Sequence, residues 1–273
     1  MIRVMNILVT INANYLKPLQ VMLKSMFINN PQEDFHVYLI HSSLKEEELA
    51  ALDHFITRHN HQFTAVTIPD DYFNDAPVPM HYTKEMYYRL LACKFLPSAL
   101  ERILYLDPDI IVINELRSLY DLDLSGYLFA AAYHKRIPIK ELNRIRLNAY
   151  EMEEYYNSGV LLMNLVRQRE VIDEQEIFKY VEKYRNRLIL PDQDVLNSLY
   201  AKGIKPISEI KYNYDTRFYI YYRLMSKGEV DMDYVINNTS ILHFCGKKKP
   251  WHKNYRGMFH ALYKHYEKLA LRS

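Results

Sequence analysis

Apolar runs and helical periodicities take turns along the first half of the chain. "VMNILVTI" reads as a strand, and the helix behind it repeats Leu16, Leu19, Leu23, Met26 and Phe27 at three- to four-residue spacing. "FHVYLI" is a second strand, with Leu49, Leu52 and Ile56 marking the next helix. "QFTAVTI" is a third, followed by a helix over "TKEMYYRLLACKFL", with Thr83 as its N-cap and Pro97 just past its end. Strand alternating with helix predicts an α/β fold: a mostly parallel, doubly wound sheet with helices on both faces. Ligands then sit beyond the C-terminal ends of the strands.

The fourth strand, "RILYLDPDIIV", breaks the pattern. Ile103, Leu104 and Leu106 read as buried strand, and Ile110 to Ile113 resume it. In an extended chain, residues i and i+2 point the same way, roughly 6–7 Å apart. Asp107 and Asp109 therefore present two carboxylates to one point, with Pro108 stiffening the link. Like charges held so close repel unless a positive group sits between them, and a divalent cation is the economical candidate. The plainer reading makes Asp107 a turn or cap residue before proline.

The second half continues with strands at "YLFAAAY" and "SGVLLMNL", a long charged helix over residues 168–185, and a short helix opening at "PDQDVLNSLY". "TSILH" ends in His243, a strand end running into "FCGKKKPW". There the glycine lets backbone come close, and the lysines suit phosphate oxygens. Beyond Gly246 the chain is strongly basic. Tyr255, Phe259, Tyr263 and Tyr266 fall on one helical face. That face lies on an anionic membrane surface, or it packs on the domain while its lysines are merely solvated.

Composition narrows the choices. The 273 residues, 49% hydrophobic and 25% charged, are enough for one large α/β domain and exclude global disorder. A net charge of +2 argues against a nucleic-acid-binding surface. Two distant cysteines, Cys93 and Cys245, give no disulfide framework, and no signal peptide or membrane span is visible. A cytoplasmic protein is expected. The 25 tyrosines suit sugar and nucleotide surfaces as well as core edges.

In this order, "YLDPDIIV", "YYNSGVLLMNL", "PDQDVLNSLY" and "HFCGKKKPW" resemble glycosyltransferase family 8, the retaining galactosyl- and glucosyltransferases of bacterial lipopolysaccharide synthesis and of glycogenin type. The resemblance runs over nearly the whole chain. It implies a nucleotide-sugar-binding GT-A fold, with residues 1–250 as catalytic domain and 251–273 as a basic aromatic tail. It also implies transfer of glucose or galactose from a UDP-sugar to an acceptor hydroxyl on a glycan or lipid-linked saccharide. By the same resemblance Asp107, Asp109 and His243 ligate a metal, manganese by preference and magnesium otherwise. Tyr15 stacks on uracil, and Asn12 and Asn14 hydrogen-bond base or ribose. Arg89 reaches the donor, and Lys249 with the Gly246 backbone holds the diphosphate. Asn157, Asp192 and Gln193 surround the transferred sugar, Gln193 stabilising a cationic ring.

Plainer roles stand beside these: Tyr15 as a hydrophobic staple, Arg89 as a helix-surface ion pair, Asp192 as a helix N-cap. Asn12 and His134 stand where the family's galactosyltransferases carry aspartate, which leaves the hexose open. A self-glycosylating primer protein or a non-catalytic sugar-nucleotide binder is the alternative. A glycosidase is disfavoured, since its two carboxylates flank a sugar instead of converging on an ion.

Overall fold

The computed structural model describes residues 4–69, 71–73, 76–77, 86–133, 146–147 and 154–272. Three βα repeats lay down the first strands: β1 (Met5–Thr10), β2 (Phe35–His41) and β3 (Gln62–Thr67), with the helices Leu16–Asn29 and Glu46–Thr57 between them. β4 (Arg102–Leu106) joins the far side of β1, and β7 (Val160–Asn164), β6 (Phe129–Ala132) and β8 (Ile204–Ile207) extend the sheet to the order β3-β2-β1-β4-β7-β6-β8. β7 alone runs antiparallel to its neighbours β4 and β6, so the sheet is mostly parallel as expected.

Strand alternation puts the core on both faces. Leu8, Ile103, Tyr105, Leu161 and Met163 face one cluster, beneath helices that include Glu174–Tyr184 and Pro191–Tyr200. Ile7, Val9, Leu104, Leu106 and Leu162 face the other, covered by Leu19, Met22, Leu52 and Ile56 of the first two helices.

Three local expectations change. The strand read through "RILYLDPDIIV" is two strands in two sheets. β5 (Ile110–Val112) leaves the main sheet and pairs antiparallel with β10 (Ile241–His243), which in turn pairs with β9 (Tyr214–Asp215). The charged helix over 168–185 is two helices, Leu165–Val171 and Glu174–Tyr184. They are divided at Ile172 and Asp173, where the Asp173 carboxylate caps the second by accepting from Gln175 N–H. The third helix is described as two short pieces, Met86–Leu90 and Ala92–Phe95; Thr83 lies outside the described residues.

The basic tail closes the small sheet. Tyr263 and Tyr266 of the helix His260–Leu271, with Phe259 before it, are buried among Val21, Ile111, Leu242 and Phe244. Tyr266 also accepts a hydrogen bond from Asn29 in the first helix. The aromatic face read from the sequence therefore packs on the protein, while Lys264 and Lys268 face solvent. Among the described residues no helix is long and apolar enough to cross a membrane.

Candidate active site

The segment Asp107–Pro108–Asp109 is the crossing between the two sheets. Asp107 N–H donates to the Gly159 carbonyl at the start of β7, 2.8 Å away, while the Asp109 carbonyl accepts from Phe244 N–H, just past β10, at 2.9 Å. Each aspartate is thus pinned by its backbone to a different sheet. His243, the last residue of β10, lies opposite Ile110. The strand end that the sequence placed far away is therefore brought to the acids by β-pairing.

The three side chains converge. Ligand atoms of Asp107, Asp109 and His243 all lie within 4.8 Å of one another. His243 Nε2 is 3.2 Å from Asp109 Oδ1 and 3.8 Å from Asp107 Oδ2. No side chain fits between them and Gly159: a Cβ there would meet His243 Cε1 at 2.4 Å and Asp107 Oδ2 at 2.6 Å. Two carboxylates and an imidazole around such a cradle form an O,O,N donor set that fits a borderline divalent cation.

Charge alone does not require the ion. Arg89 Nη1 lies 3.0 Å from both Asp107 Oδ1 and Asp192 Oδ2, and Lys249 Nζ pairs with Asp109 Oδ2. The protein thus brings its own cations to the acids, which the repulsion argument from sequence overlooked. Burial would push the Asp109 carboxyl up, but His243 and Lys249 outweigh it and hold it well below the usual carboxylate range.

Arg89 is more than a helix-surface ion pair, the plainer role it was given. Its side chain is 17% exposed, too little for a solvated pair. Its guanidinium also lies 4.6 Å over the Tyr105 ring and donates to the Ser158 carbonyl. Tyr105 hydroxyl donates to Asp107 Oδ1 at 2.5 Å.

Asp192 is not an N-cap either. Pro191 occupies the first helical position and Leu190 the cap position; the nearby N–H groups of Ile189 and Leu190 are taken by Asp194 instead. The Asp192 carboxylate is free of capping duty and accepts from Ser158 hydroxyl at 2.8 Å. Gln193 Oε1 accepts two long hydrogen bonds, from Asn157 Nδ2 at 3.3 Å and Ser158 N–H at 3.4 Å. Asn157, Asp192 and Gln193 do come together, beside Arg89.

The residues expected at the base lie a little apart. Asn12 caps the short 3-10 turn Ala13–Tyr15 by accepting from Asn14 N–H, and Tyr15 meets the edge of Trp251 at 5.8 Å between ring centres. Trp251 belongs to the loop carrying Lys249, so base and phosphate candidates share one rim. Gly246 has φ +87°, a left-handed conformation that favours glycine, and the Arg217 guanidinium lies beside it, 2.7 Å from where a Cβ would stand. His134 lies outside the described residues.

Four site residues had no role in the sequence reading: Tyr105, Ser158, Gly159 and Asn213. Ser158 and Gly159 sit inside "YYNSGV", whose run of turn-forming residues Asn-Ser-Gly was a usable signal. Asn213 has no such signal. Its side chain is buried between His243 and Asn157, 2.8 Å from each.

Carboxylates, an imidazole, an arginine and a lysine thus gather at the strand ends of an α/β sheet, the place where such folds bind their ligands. The chain belongs to glycosyl transferase family 8, whose sequence model matches residues 6–255, and is a glycosyltransferase. General stress protein A of Bacillus subtilis (strain 168) is 25% identical over 276 residues, 96% of this chain and 93% of that protein. A lipopolysaccharide 1,2-glucosyltransferase of Escherichia coli (strain K12) is 28% identical over 91% of this chain and 73% of its own. The fold is that of the galactosyltransferase LgtC, solved in complex with donor and acceptor sugar analogs. The two superpose with a TM-score of 0.82 at 22% identity, covering 97% and 96% of the two chains.

Proposed function

We propose that this protein transfers a hexose, glucose or galactose, from a UDP-sugar to a hydroxyl of a saccharide or lipid-linked saccharide, with retention at the anomeric carbon. Asp107, Asp109 and His243 would hold a divalent cation, manganese by preference and magnesium otherwise. The observation that carries this is the meeting of those three ligands, within 4.8 Å, beside Lys249 and the Asn157–Asp192–Gln193 group. The glucosyltransferase and galactosyltransferase among its relatives support a hexose.

A cation bound there supplies Lewis-acid stabilisation of the charge that grows on the departing diphosphate. Lys249 adds a fixed positive charge beside Asp109 and, with the Gly246 backbone, holds the diphosphate. Tyr15, Asn12 and Asn14 hold the uridine at the same rim. Asp192, held by Arg89 and Ser158, accepts from a hexose hydroxyl and orients the ring. An amide is a poor nucleophile, and the Gln193 carbonyl already has two donors. Attack from the leaving-group side, through an ion-pair-like state, follows. Residues 1–250 form the catalytic part on this reading, and 251–273 a tail whose exposed lysines offer an electrostatic contact with an anionic inner-membrane surface.

A donor screen reading UDP release tests the proposal. Turnover with UDP-glucose or UDP-galactose is expected with manganese, lost with a chelator and lost in Asp109→Asn. Release that survives chelation overturns the metal assignment, and no release from any UDP-hexose overturns the donor.

A further inference from the structure

We propose that Asn213 is a positioning residue that keeps a proton on His243 Nδ1 and so aims Nε2 at Asp107 and Asp109, and that two backbone N–H groups dictate this through a relay of side-chain amides. The hydrogen-bond inventory forces each step. Gly159 N–H can only donate, and it meets Asn157 Oδ1 at 2.9 Å; that atom is the amide oxygen. The same oxygen lies 2.8 Å from Asn213 Nδ2, so the Asn213 group facing it is the NH2. The other end of Asn213, 2.8 Å from His243 Nδ1, is then a carbonyl oxygen, and a carbonyl oxygen requires a proton on Nδ1.

The far end of the relay agrees. Asn157 turns its NH2 to Gln193 Oε1, and that oxygen also takes Ser158 N–H, a second group able only to donate. Backbone donors at Ser158 and Gly159 therefore fix one polarity across Gln193, Asn157, Asn213 and His243. Asn213 is 3% exposed, so no solvent substitutes for a lost partner. Its own N–H is committed to the Glu209 carbonyl at 3.0 Å. A buried imidazole held by a second residue at one nitrogen offers the other as a ligand of fixed direction. Asn213 thereby ties the metal ligand His243 to the Gln193 end of the site.

The consequence for metal binding rests on the proposed function; the Nδ1 proton does not, and two readouts separate them. In metal-free protein carrying 15N-histidine, two-bond proton–nitrogen correlation should show His243 Nδ1 bearing a slowly exchanging proton at neutral pH. Asn213→Asp, which keeps an acceptor for that proton, should preserve the signal, and Asn213→Leu should lose it. An unprotonated Nδ1 in the wild-type protein overturns the proposal, as does an unchanged signal in Asn213→Leu.

Manganese binding, followed by loss of the free-ion paramagnetic resonance signal, should weaken about 10- to 100-fold in Asn213→Leu and stay near wild type in Asn213→Asp. Equal affinities in all three proteins overturn the positioning role. Wild-type protein that keeps the protected Nδ1 proton but binds no manganese supports the relay and overturns the metal reading.

Discussion

Gly159 and His243 stand so close that a methyl group on the glycine would fall 2.4 Å from the imidazole Cε1. The same methyl would lie 2.6 Å from Asp107 Oδ2. Since the Gly159 carbonyl also holds Asp107 N–H, the backbone cannot retreat without moving a carboxylate. Gly159→Ala should therefore weaken manganese binding by about tenfold or more while the protein still folds. Calorimetric titration beside a thermal melt checks it; wild-type affinity would mean that His243 swings aside freely.

Arg89 serves two acids at once, Asp107 and Asp192, each 3.0 Å from one guanidinium nitrogen. Burial opposes its charge, and Asp107, with Tyr105 and Asp192, more than restores it. Arg89→Met should cost about 3–5 kcal/mol, because it leaves partly buried carboxylates without their partner. Arg89→Lys should recover part of that stability, yet turn over donor poorly, since an ammonium lacks the fork and the ring stacking. Urea unfolding and UDP-release rates read the two effects separately; equal stability of wild type and Arg89→Met would remove the structural half.

Tyr263 tests whether the tail belongs to the folded body. Its ring is 1% exposed and lies 5.5 Å from Phe244 and 6.0 Å from Trp251 between centres. Tyr263→Ala should cost about 3–5 kcal/mol, the usual range for deleting a buried aromatic ring. It should also slacken the loop carrying Lys249, raising KM for the donor more than it lowers kcat. A tail that merely lies on the surface would show neither change.

His61 carries a pH dependence away from the site. Burial, and after it the neighbouring His59, push its imidazole down to about 4. The ring packs 4.0 Å from Phe27, and its Nδ1 accepts from Phe35 N–H. An unfolded histidine takes its proton near pH 6.5. Between about 6.5 and 4 the unfolded chain binds a proton that the folded chain refuses. His61 neutrality thus leaves stability whole above 6.5 and lets it drain as pH falls toward 4. His61→Phe should be less stable at pH 7 but lose less between pH 7 and 5. Parallel urea midpoints would contradict this.

Much of the site was legible because its residues lie in short local patterns. Asp107 and Asp109 follow a buried strand, Asp192 and Gln193 open a helix behind Pro191, and Lys249 follows a strand-end histidine. The errors share one cause. Continuous apolar sequence across Asp107–Asp109 reads as one strand, and nothing local says that its halves enter different sheets. Likewise the charged stretch 168–185 hides its break, since the cap at Asp173 is a single side-chain hydrogen bond.

The alternation of strands and helices, the amphipathic faces and the local patterns that hold Asp107, Asp109, Asp192 and Lys249 were written in the chain itself, because periodicity and turn chemistry act over a few residues. Which groups meet was decided only by folding. β10 pairing with β5 carries His243 to residues more than a hundred positions earlier, and Arg89 and Lys249 reach the acids from separate loops and helices. Asn213 gained its place the same way, as a buried amide whose partners all lie elsewhere in sequence. Contacts of that kind depend on three-dimensional closure, and no local pattern encodes it.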